Sequence, residues 1–352
     1  MTAQSAGRHP RAPTLIGPVG PGARAAETPA LVVDGLSLAV DGVTLLSDVS
    51  LTVSRGEMVG LVGESGSGKT LTGLSILGLV PHGARLTGSI RVAGVDMTTA
   101  APAVLRQMRG GQVGIIFQEP RSSLNPALPV GRQIADVVRA HLDMSRGQAR
   151  AAALSLLGQV GLPSPRSCFA AYPHELSGGM CQRVMIAMAL ACGPSLLIAD
   201  EPTTALDVTV QAQIITLLRS IADERDLSVL LITHNLAVVT QVCDRVVTMY
   251  CGQVVNADTT ARVLSAPSHP YTWALLESGR VKLAGADGDS SPAELAGQPA
   301  SPVHPPQGCR FHPRCPFAEP RCAAAVPEIT PVNGGQTRCV RHGELLLGAG
   351  QP

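Results

Sequence analysis

The first residues of this chain that could do chemistry form a glycine-rich loop with the spacing G-x-x-x-x-G-K-[ST]. The glycines of such a loop let successive backbone N–H groups turn toward phosphate oxygens, and the positive end of the following helix faces the same anion. The lysine supplies a charge to the β- and γ-phosphates and the last hydroxyl binds Mg²⁺, so the motif predicts ATP and Mg²⁺ as cofactors. The loop consists of Gly63, Glu64, Ser65, Gly66, Ser67, Gly68, Lys69 and Thr70.

Two adjacent acids, Asp200 and Glu201, follow an apolar run at 196–199 that is typical of a buried strand. Beside a phosphate loop, Asp200 is expected to hold Mg²⁺ through water, and Glu201 to polarise the attacking water as a general base. The alternative is a pair of solvated acids that cap a strand, and the phosphate loop upstream favours the catalytic interpretation. Another apolar strand runs into His234, which we expect to contact the γ-phosphate.

These residues need neighbouring strands to bring them together, and the chain carries strand and helix patterns in a suitable order. Two strand-like runs flank Asp41-Gly42, which predicts an antiparallel hairpin closed by that turn. Beyond residue 195, continuous apolar strands alternate with helices, which predicts a parallel sheet covered on both faces. Helical spacing over about 120–182 predicts an inserted helical subdomain. The predicted fold is therefore α/β, a P-loop NTPase core with an antiparallel β subdomain.

Composition narrows the class of protein. The formal net charge is +1, from 27 Lys plus Arg against 26 Asp plus Glu, so we predict no nucleic-acid partner. Aromatic residues are 2% of the chain, and we expect a core of Leu, Val, Ile, Ala and Met. No apolar run approaches the roughly 20 residues that span a bilayer, and residues 1–28 are predicted to be a disordered tail. We therefore expect a cytoplasmic protein whose cysteines are thiols or metal ligands.

A second glycine motif, L-S-G-G-M at 176–180, is followed by Q-R-V at 182–184. This motif, placed between a phosphate loop and a strand ending in Asp-Glu, is highly specific, and with it the chain resembles the ATP-binding subunits of ABC transporters over about 31–266. Gln118, Asp207 and His234 follow in that family's order. The resemblance implies a head-to-tail dimer that sandwiches two ATP molecules, with the signature residues on the γ-phosphate held by the partner's loop. Those residues are Ser177, Gly178 and Gly179.

The same resemblance assigns roles to two residues outside the glycine motifs. Gln118 would sense Mg²⁺ and connect the site to the helical subdomain, which in this family docks on the membrane subunits. Asp207 would belong to the nucleotide-binding set. Together with Glu201 and His234, Gln118 completes the predicted catalytic residues.

Narrower motifs indicate one branch of the family. The sequences FQEP at 117–120, SLNP at 123–126 and HPY at 269–271 resemble those of the dipeptide, oligopeptide and nickel importers. The resemblance implies an ATPase at the cytoplasmic face of the membrane that powers peptide import. Its implied partners are a second, different ATPase subunit, two transmembrane permease subunits and an extracellular solute-binding protein. The alternatives are import of nickel or another small solute, a soluble ABC-type ATPase, and a non-hydrolysing binding module.

The C-terminal part carries a different set of chemical groups. We predict one ATPase domain over 29–283, a linker rich in Ala, Gly, Ser and Pro over 284–307, and a cysteine-rich module with almost no core of its own over 308–345. Four thiols in so small a module suggest a metal as a structural link; they are Cys309, Cys315, Cys322 and Cys339. The wide spacing suits a cluster, and the module resembles one reported to bind 4Fe–4S in the peptide-importer branch. Zinc, unligated thiols and a disulfide are the alternatives.

Two positions depart from the family pattern. Val40 stands on the early hairpin where ABC ATPases usually have an aromatic residue that stacks on adenine. Cys181 stands beside the signature where this branch usually has Arg. We therefore expect weak stacking on adenine and a differently tuned site across the dimer.

Overall fold

The computed structural model describes residues 28–204, 206–283 and 297–348. Residues 1–27 of the predicted tail and 284–296 of the predicted linker lie outside the described residues. The strands are β1 (Leu31–Val40), β2 (Val43–Val53), β3 (Met58–Val62), β4 (Arg85–Val92), β5 (Val95–Asp96), β6 (Val113–Ile116), β7 (Leu196–Asp200), β8 (Ser228–Thr233), β9 (Arg245–Tyr250), β10 (Gln253–Thr259), β11 (Thr330–Val332) and β12 (Gly335–Thr337).

The helices lie between and around these strands. They are α1 (Lys69–Ile76), α2 (Pro102–Gly111), α3 (Pro120–Ser123), α4 (Val130–His141), α5 (Arg146–Gln159), α6 (Pro165–Ala170), α7 (Gly178–Ala189), α8 (Val208–Arg225), α9 (Leu236–Val242), α10 (Thr260–Ser265), α11 (Pro270–Leu283) and α12 (Pro320–Ala324). Among the described residues, none of these helices is both long and apolar enough to cross a lipid bilayer.

A four-stranded sheet in the order β2-β1-β4-β5 forms the antiparallel part. Its first two strands are the predicted hairpin, in which Val40 pairs with Val43. Asp41 (φ 49°) and Gly42 (φ 82°) both have positive φ, as the tight turn between such strands requires. The inner face of this sheet buries apolar residues of β1, β2 and β4 against β3, β7 and β8, so the two sheets share a core.

A second sheet has the order β11-β12-β10-β9-β3-β8-β7-β6, and its strands from β9 to β6 run parallel. Every residue of β3, β7 and β8 is buried, as expected for strands covered on both faces. The predicted parallel sheet is confirmed. Because neighbouring parallel strands end at one edge, the residues that follow β3, β6, β7 and β8 are brought together there.

The region predicted as helical contains α3 to α6 and the start of α7, which continues to Ala189. Ser145 caps α5 through a reciprocal pair of bonds with Gln148, a strong start for a helix with little amphipathic character. A single cluster of apolar side chains joins these helices to the parallel sheet, including Leu157 and Val184. This part of the chain therefore packs on the sheet as well as on itself.

The C-terminal residues 297–348 differ from the expected module with almost no core of its own. Strand β12 pairs with β10, and β11 pairs with β12, so the segment extends the parallel sheet by two antiparallel strands. Phe311 is 1% exposed and packs against Tyr250 and Tyr271 at ring distances of 5.3 and 5.2 Å. The prediction that the core consists of aliphatic residues and Met is therefore incomplete, because aromatic residues also contribute to the core. Three of the chain's few aromatic side chains, from three separate segments, join the C-terminal segment to the sheet.

Candidate nucleotide site

The phosphate loop connects β3 to α1 at the carboxyl edge of the parallel sheet. Gly68 has a φ of 101°, and a Cβ there would lie 2.6 Å from the Leu46 side chain, so glycine is required. The Lys69 ammonium donates to the carbonyls of Gly63 at 2.7 Å and Glu64 at 2.9 Å. The Lys69 side chain therefore lies against the loop, and it would have to break these bonds to bind a phosphate.

The charge environment of Lys69 is set by burial and by acids. Burial lowers the pKa of Lys69, while the carboxylates of Glu201, Asp200 and Glu64 act in the opposite direction. Because three carboxylates surround Lys69, the single charge of Lys69 is not enough to attract the phosphates of ATP, and a further positive charge is needed. Mg²⁺ is the ion that accompanies ATP, so the charge balance of the site fits Mg-ATP.

Asp200 ends β7, and its carboxylate accepts a hydrogen bond of 3.2 Å from the Thr70 hydroxyl. Burial raises the pKa of Asp200, while the hydrogen bond from Thr70 opposes that change. Within the described residues, no three His, Cys, Asp or Glu side chains stand close enough to share one metal ion. A Mg²⁺ at Thr70 and Asp200 would thus take its other ligands from phosphates and water, as Mg²⁺ commonly does.

Glu201 is connected to residues that follow β6 and β8. It has a φ of 46°, and its backbone N–H donates to the Ile232 carbonyl on β8. Its carboxylate accepts from the Thr204 hydroxyl at 2.7 Å and lies 3.1 Å from His234 Nδ1. The Gln118 side-chain amide is the most distant neighbour, at 3.5 Å.

These contacts decide the protonation state of Glu201. Burial by itself raises the pKa of Glu201, but the hydrogen bonds from Thr204 and His234 outweigh burial and lower it. An ionised carboxylate that faces the phosphate-loop edge has the charge state required of a general base. The structure therefore brings together Lys69, Thr70, Asp200, Glu201, His234 and Gln118 from the ends of four neighbouring parallel strands.

The signature residues lie elsewhere, at the start of α7. The Ser177 hydroxyl caps this helix by accepting from Met180 N at 3.3 Å. A Cβ on Gly179 would lie 2.8 Å from the Val210 side chain, so this glycine also allows α7 to approach α8. Hydrogen bonds among the described residues do not connect 177–179 to the phosphate loop of the same chain.

Asp207, also predicted at the nucleotide, has a local role in this structure. Its carboxylate caps α8 by accepting from Val210 N at 2.9 Å. Residue 205, two positions before Asp207, is outside the described residues. Asp207 and Ser177 thus cap the starts of two helices, α8 and α7, that approach each other at Gly179 and Val210.

Sequence reasoning missed two side chains that hold the phosphate loop. The Tyr271 hydroxyl accepts from Glu64 N at 2.8 Å, and Arg314 makes two bonds to the Glu64 carboxylate at 2.6 and 3.0 Å. Tyr271 lies in the HPY motif, which indicated a branch of the family but no role for its tyrosine. No local pattern around Arg314 pointed to a residue 250 positions away.

The four C-terminal cysteines face one cavity, together with His269, Phe311 and His312. Burial raises the pKa of Cys315 and of Cys339 to about 11 in each case, so neither is a reactive thiolate near neutral pH. All four are free thiols. The predicted cysteines are therefore brought together, although no three of them lie within reach of one ion.

The two departures from the family pattern have different surroundings. Val40 ends β1 at the turn and is partly buried against the core between the two sheets. Cys181 is fully buried, and its thiol lies 3.4 Å from the Pro173 carbonyl. The change at 181 therefore affects the packing of α7, and the change at 40 affects a half-exposed edge.

Comparison with known proteins agrees with this geometry. The family described as ABC transporter matches residues 46–204, and the family described as oligopeptide/dipeptide transporter, C-terminal region, matches residues 255–322. The oligopeptide transport ATP-binding protein AppD of Bacillus subtilis is 46% identical over 310 residues, covering 87% of this chain and 92% of AppD. The dipeptide transport ATP-binding protein DppD of Escherichia coli is 44% identical over 293 residues, covering 83% of this chain and 89% of DppD.

A solved structure with the same architecture is the dimer of an ATP-binding cassette in a post-hydrolysis state, bound to ADP and Pi. It is 26% identical to this chain, covers 65% of it and 98% of the cassette itself, and superposes with a TM-score of 0.58. The phosphate-loop edge, the signature at the start of α7 and the extent of these similarities lead to one conclusion. The chain belongs to the ATP-binding subunits of the oligopeptide/dipeptide ABC transporter family, and it is an ATPase.

Proposed function

We propose that this chain binds Mg-ATP at the phosphate-loop edge and hydrolyses it to power the import of di- or oligopeptides across the cytoplasmic membrane. The observation that carries the ATP site is the convergence of Lys69, Asp200, Glu201 and His234 at the ends of neighbouring parallel strands. The peptide cargo is supported by the relatives, which are named as oligopeptide and dipeptide transport proteins.

In the proposed reaction, Lys69 leaves its carbonyl partners and binds the β- and γ-phosphates. Thr70 and Asp200 would hold Mg²⁺, which would neutralise the charge of the phosphates. Glu201 takes a proton from the attacking water, and His234 orients Glu201 and the γ-phosphate. Gln118, on the loop that leads to α3, reports the state of the site to the helical region.

The proposed assembly is a head-to-tail dimer with a second, different ATPase subunit. Two features support a dimer: no hydrogen bond among the described residues joins Ser177, Gly178 or Gly179 to the phosphate loop of the same chain, and a cassette of the same fold is a dimer with ADP and Pi bound. The N-terminal end of α7 would then offer N–H groups to the partner's γ-phosphate, and Asp207 would lie beside the same interface. Two permease subunits and an extracellular solute-binding protein complete the proposed importer, with this chain peripheral at the cytoplasmic face.

The decisive experiment is whole-cell uptake of labelled dipeptide, a longer peptide and nickel, in cells with wild-type protein or a chromosomal Glu201→Gln variant. A Glu224→Gln variant, altered at an exposed acid on α8, is the matched control. We expect loss of dipeptide or longer-peptide uptake in Glu201→Gln alone. Loss of nickel uptake alone would identify the metal as cargo. Unchanged uptake of all three would contradict the importer proposal and favour a soluble ATPase.

We further infer that Cys309, Cys315, Cys322 and Cys339 hold a 4Fe–4S cluster that links the C-terminal segment internally. The donor set supports it, since four thiolates hold such a cluster and each iron takes one of them. Zinc is the alternative, because four thiolates can also hold a single zinc ion. The cavity that they line is small, about 20 Å³, so binding requires the cysteine side chains to rotate outward.

His269 is a second observation that supports a ligand in this cavity. Its Nδ1 accepts from Tyr271 N at 3.0 Å, and burial lowers the pKa of His269 to about 3, which leaves the proton on Nε2. That Nε2 is buried and has no hydrogen-bond partner in the described part of the chain. An N–H that lines the cysteine cavity can donate to a sulfur atom. Iron and acid-labile sulfide in anaerobically purified protein test this inference, and stoichiometric zinc without iron would contradict it.

A further inference from the structure

The second residue of the phosphate loop, Glu64, is held by a residue of the C-terminal segment. The Arg314 guanidinium donates two parallel hydrogen bonds to the Glu64 carboxylate, at 2.6 and 3.0 Å. The Arg314 side chain is 5% exposed and that of Glu64 is 24% exposed. A two-bond pair with a buried guanidinium is far better fixed than an ordinary surface ion pair.

The backbone of Glu64 is held by the same structural unit. Its N–H donates to the Tyr271 hydroxyl, and Arg314 also donates to the Tyr250 hydroxyl at 3.3 Å. The rings of Tyr250 and Tyr271 lie 4.7 Å apart, in the aromatic cluster completed by Phe311. Both ends of Glu64 are therefore tied to one rigid group of side chains.

A second arginine connects the C-terminal segment to the other side of the phosphate loop. Arg310 donates to the Cys251 carbonyl, and the next residue, Gly252, donates its N–H to the Ser67 carbonyl at 2.9 Å. Arg310 directly follows Cys309, and Arg314 directly precedes Cys315. The segment 309–315 thus contacts the loop at Glu64 directly and at Ser67 through the peptide unit of Cys251 and Gly252.

The contact of Arg314 with Glu64 changes the charge of the phosphate loop. A carboxylate within a loop that binds a triphosphate repels the ligand unless a positive charge neutralises it. Glu64 is close enough to Lys69 to act on its pKa, so its charge is felt inside the site. The guanidinium of Arg314 neutralises the Glu64 carboxylate, so that this carboxylate does not compete with the phosphates for Lys69.

We propose that Arg314 is a positioning residue of the ATP site: it neutralises Glu64 and fixes the phosphate loop, so the C-terminal segment is a working part of nucleotide binding. This inference rests on the proposed ATP site at the phosphate loop. In this proposal the C-terminal segment contributes to nucleotide binding, in addition to lining the cysteine cavity.

The test measures binding of a fluorescent ATP analogue with Mg²⁺, and steady-state ATP hydrolysis, on the full-length chain. For Arg314→Ala we expect about tenfold weaker binding and a KM for ATP raised to the same extent, with kcat changed less than about twofold. Arg314→Lys restores part of the affinity because it keeps the charge but not both bonds. Arg321→Ala, which removes an exposed arginine that pairs with Glu319 and Glu344, is the matched control and binds like wild type.

Rescue separates charge compensation from a purely structural role. In the double variant Glu64→Ala/Arg314→Ala the unpaired carboxylate is gone, and we expect binding within about twofold of Glu64→Ala alone. Wild-type affinity in Arg314→Ala, or a double variant as weak as Arg314→Ala, would overturn the inference. Failure of the wild-type protein to bind ATP is a different result, which would overturn the proposed function on which this inference stands.

Discussion

The phosphate-loop edge and the C-terminal segment 297–348 place their chemical groups in opposite ways. At the edge, the key side chains follow the ends of four neighbouring parallel strands, and Lys69 and Glu201 already have hydrogen-bond partners within the chain. In the C-terminal segment, four thiols line a small cavity that His269, from outside the segment, also lines; the Nε2 atom of His269 has no hydrogen-bond partner among the described residues. The groups of the edge are held in place by this chain before a partner adds its signature residues, whereas the four thiols that line the cavity are free.

The structures of the two regions depend on the rest of the chain to different degrees. The edge follows from the sheet itself, since parallel strands end together. The C-terminal segment joins the sheet through β12, which pairs with β10, and contacts the aromatic cluster through Phe311 and the phosphate loop through Arg314. Function at the edge should therefore be lost without loss of folding, whereas changes in the segment should affect folding first and nucleotide binding second.

The largest effect is expected at Lys69. Lys69→Ala should weaken Mg-ATP binding about 100-fold or more, because a buried charge that pairs with phosphate is removed. The melting temperature should stay near that of wild type, since burial already disfavours the charged form of Lys69. Nucleotide titration and thermal unfolding measure the two quantities. Lys69→Met, which keeps the length of the side chain, should lose the same affinity, and normal binding by it would break the comparison.

The next effect is on stability, at the attachment of the C-terminal segment. Phe311→Ala should lower the free energy of unfolding by about 3–5 kcal/mol, the usual cost of removing a fully buried Phe. Denaturant unfolding measures it, with Val303→Ala as a control because Val303 is exposed. A loss below about 1 kcal/mol would show that the segment is not part of the same core.

A smaller effect concerns pH dependence at the edge. The hydrogen bond from Thr204 favours the ionised form of Glu201, so Thr204→Val should raise the pKa of Glu201. Since the base must be ionised, activity is lost as pH falls through that pKa, and the acid limb of kcat/KM should move to higher pH. Thr216→Val, altered at an exposed threonine of α8, should leave the profile in place. A limb that stays in place in Thr204→Val would show that Glu201 does not control it.

The smallest effect is expected at the departure on the early hairpin. Val40→Tyr should tighten ATP binding about fivefold, because stacking on a base contributes roughly 1 kcal/mol. Inorganic tripolyphosphate, which has no base, should bind both proteins equally. Equal tightening of both ligands would show that the tyrosine acts on the phosphate loop and not on adenine.

The edge was predictable from sequence because each part of it is local. The phosphate loop, the Asp200-Glu201 pair and His234 each end an apolar strand, and the alternation of strands and helices makes those strands parallel. The hairpin followed from one turn, at Asp41-Gly42. Physical rules that act over a few residues were sufficient for this half of the site.

The remaining contacts join residues that are distant in sequence. Arg314 and Glu64 are 250 positions apart, and the pairing of β12 with β10 brings Thr337 to Asn256. Neither of these two contacts is marked by a periodic pattern or a fixed spacing in the sequence. The composition of the C-terminal segment therefore suggested a separate module. Tyr250, Tyr271 and Phe311 likewise form one cluster although the chain is only 2% aromatic.

Hydrolysis of ATP at the edge through Glu201 can be measured as phosphate release from purified full-length protein that carries Glu201→Gln. The account predicts a kcat at least about 100-fold lower, as expected for loss of a general base, with nucleotide affinity close to wild type. The Glu224→Gln control should turn over normally. Normal turnover by Glu201→Gln would contradict the account, because no base at the edge would then have been removed.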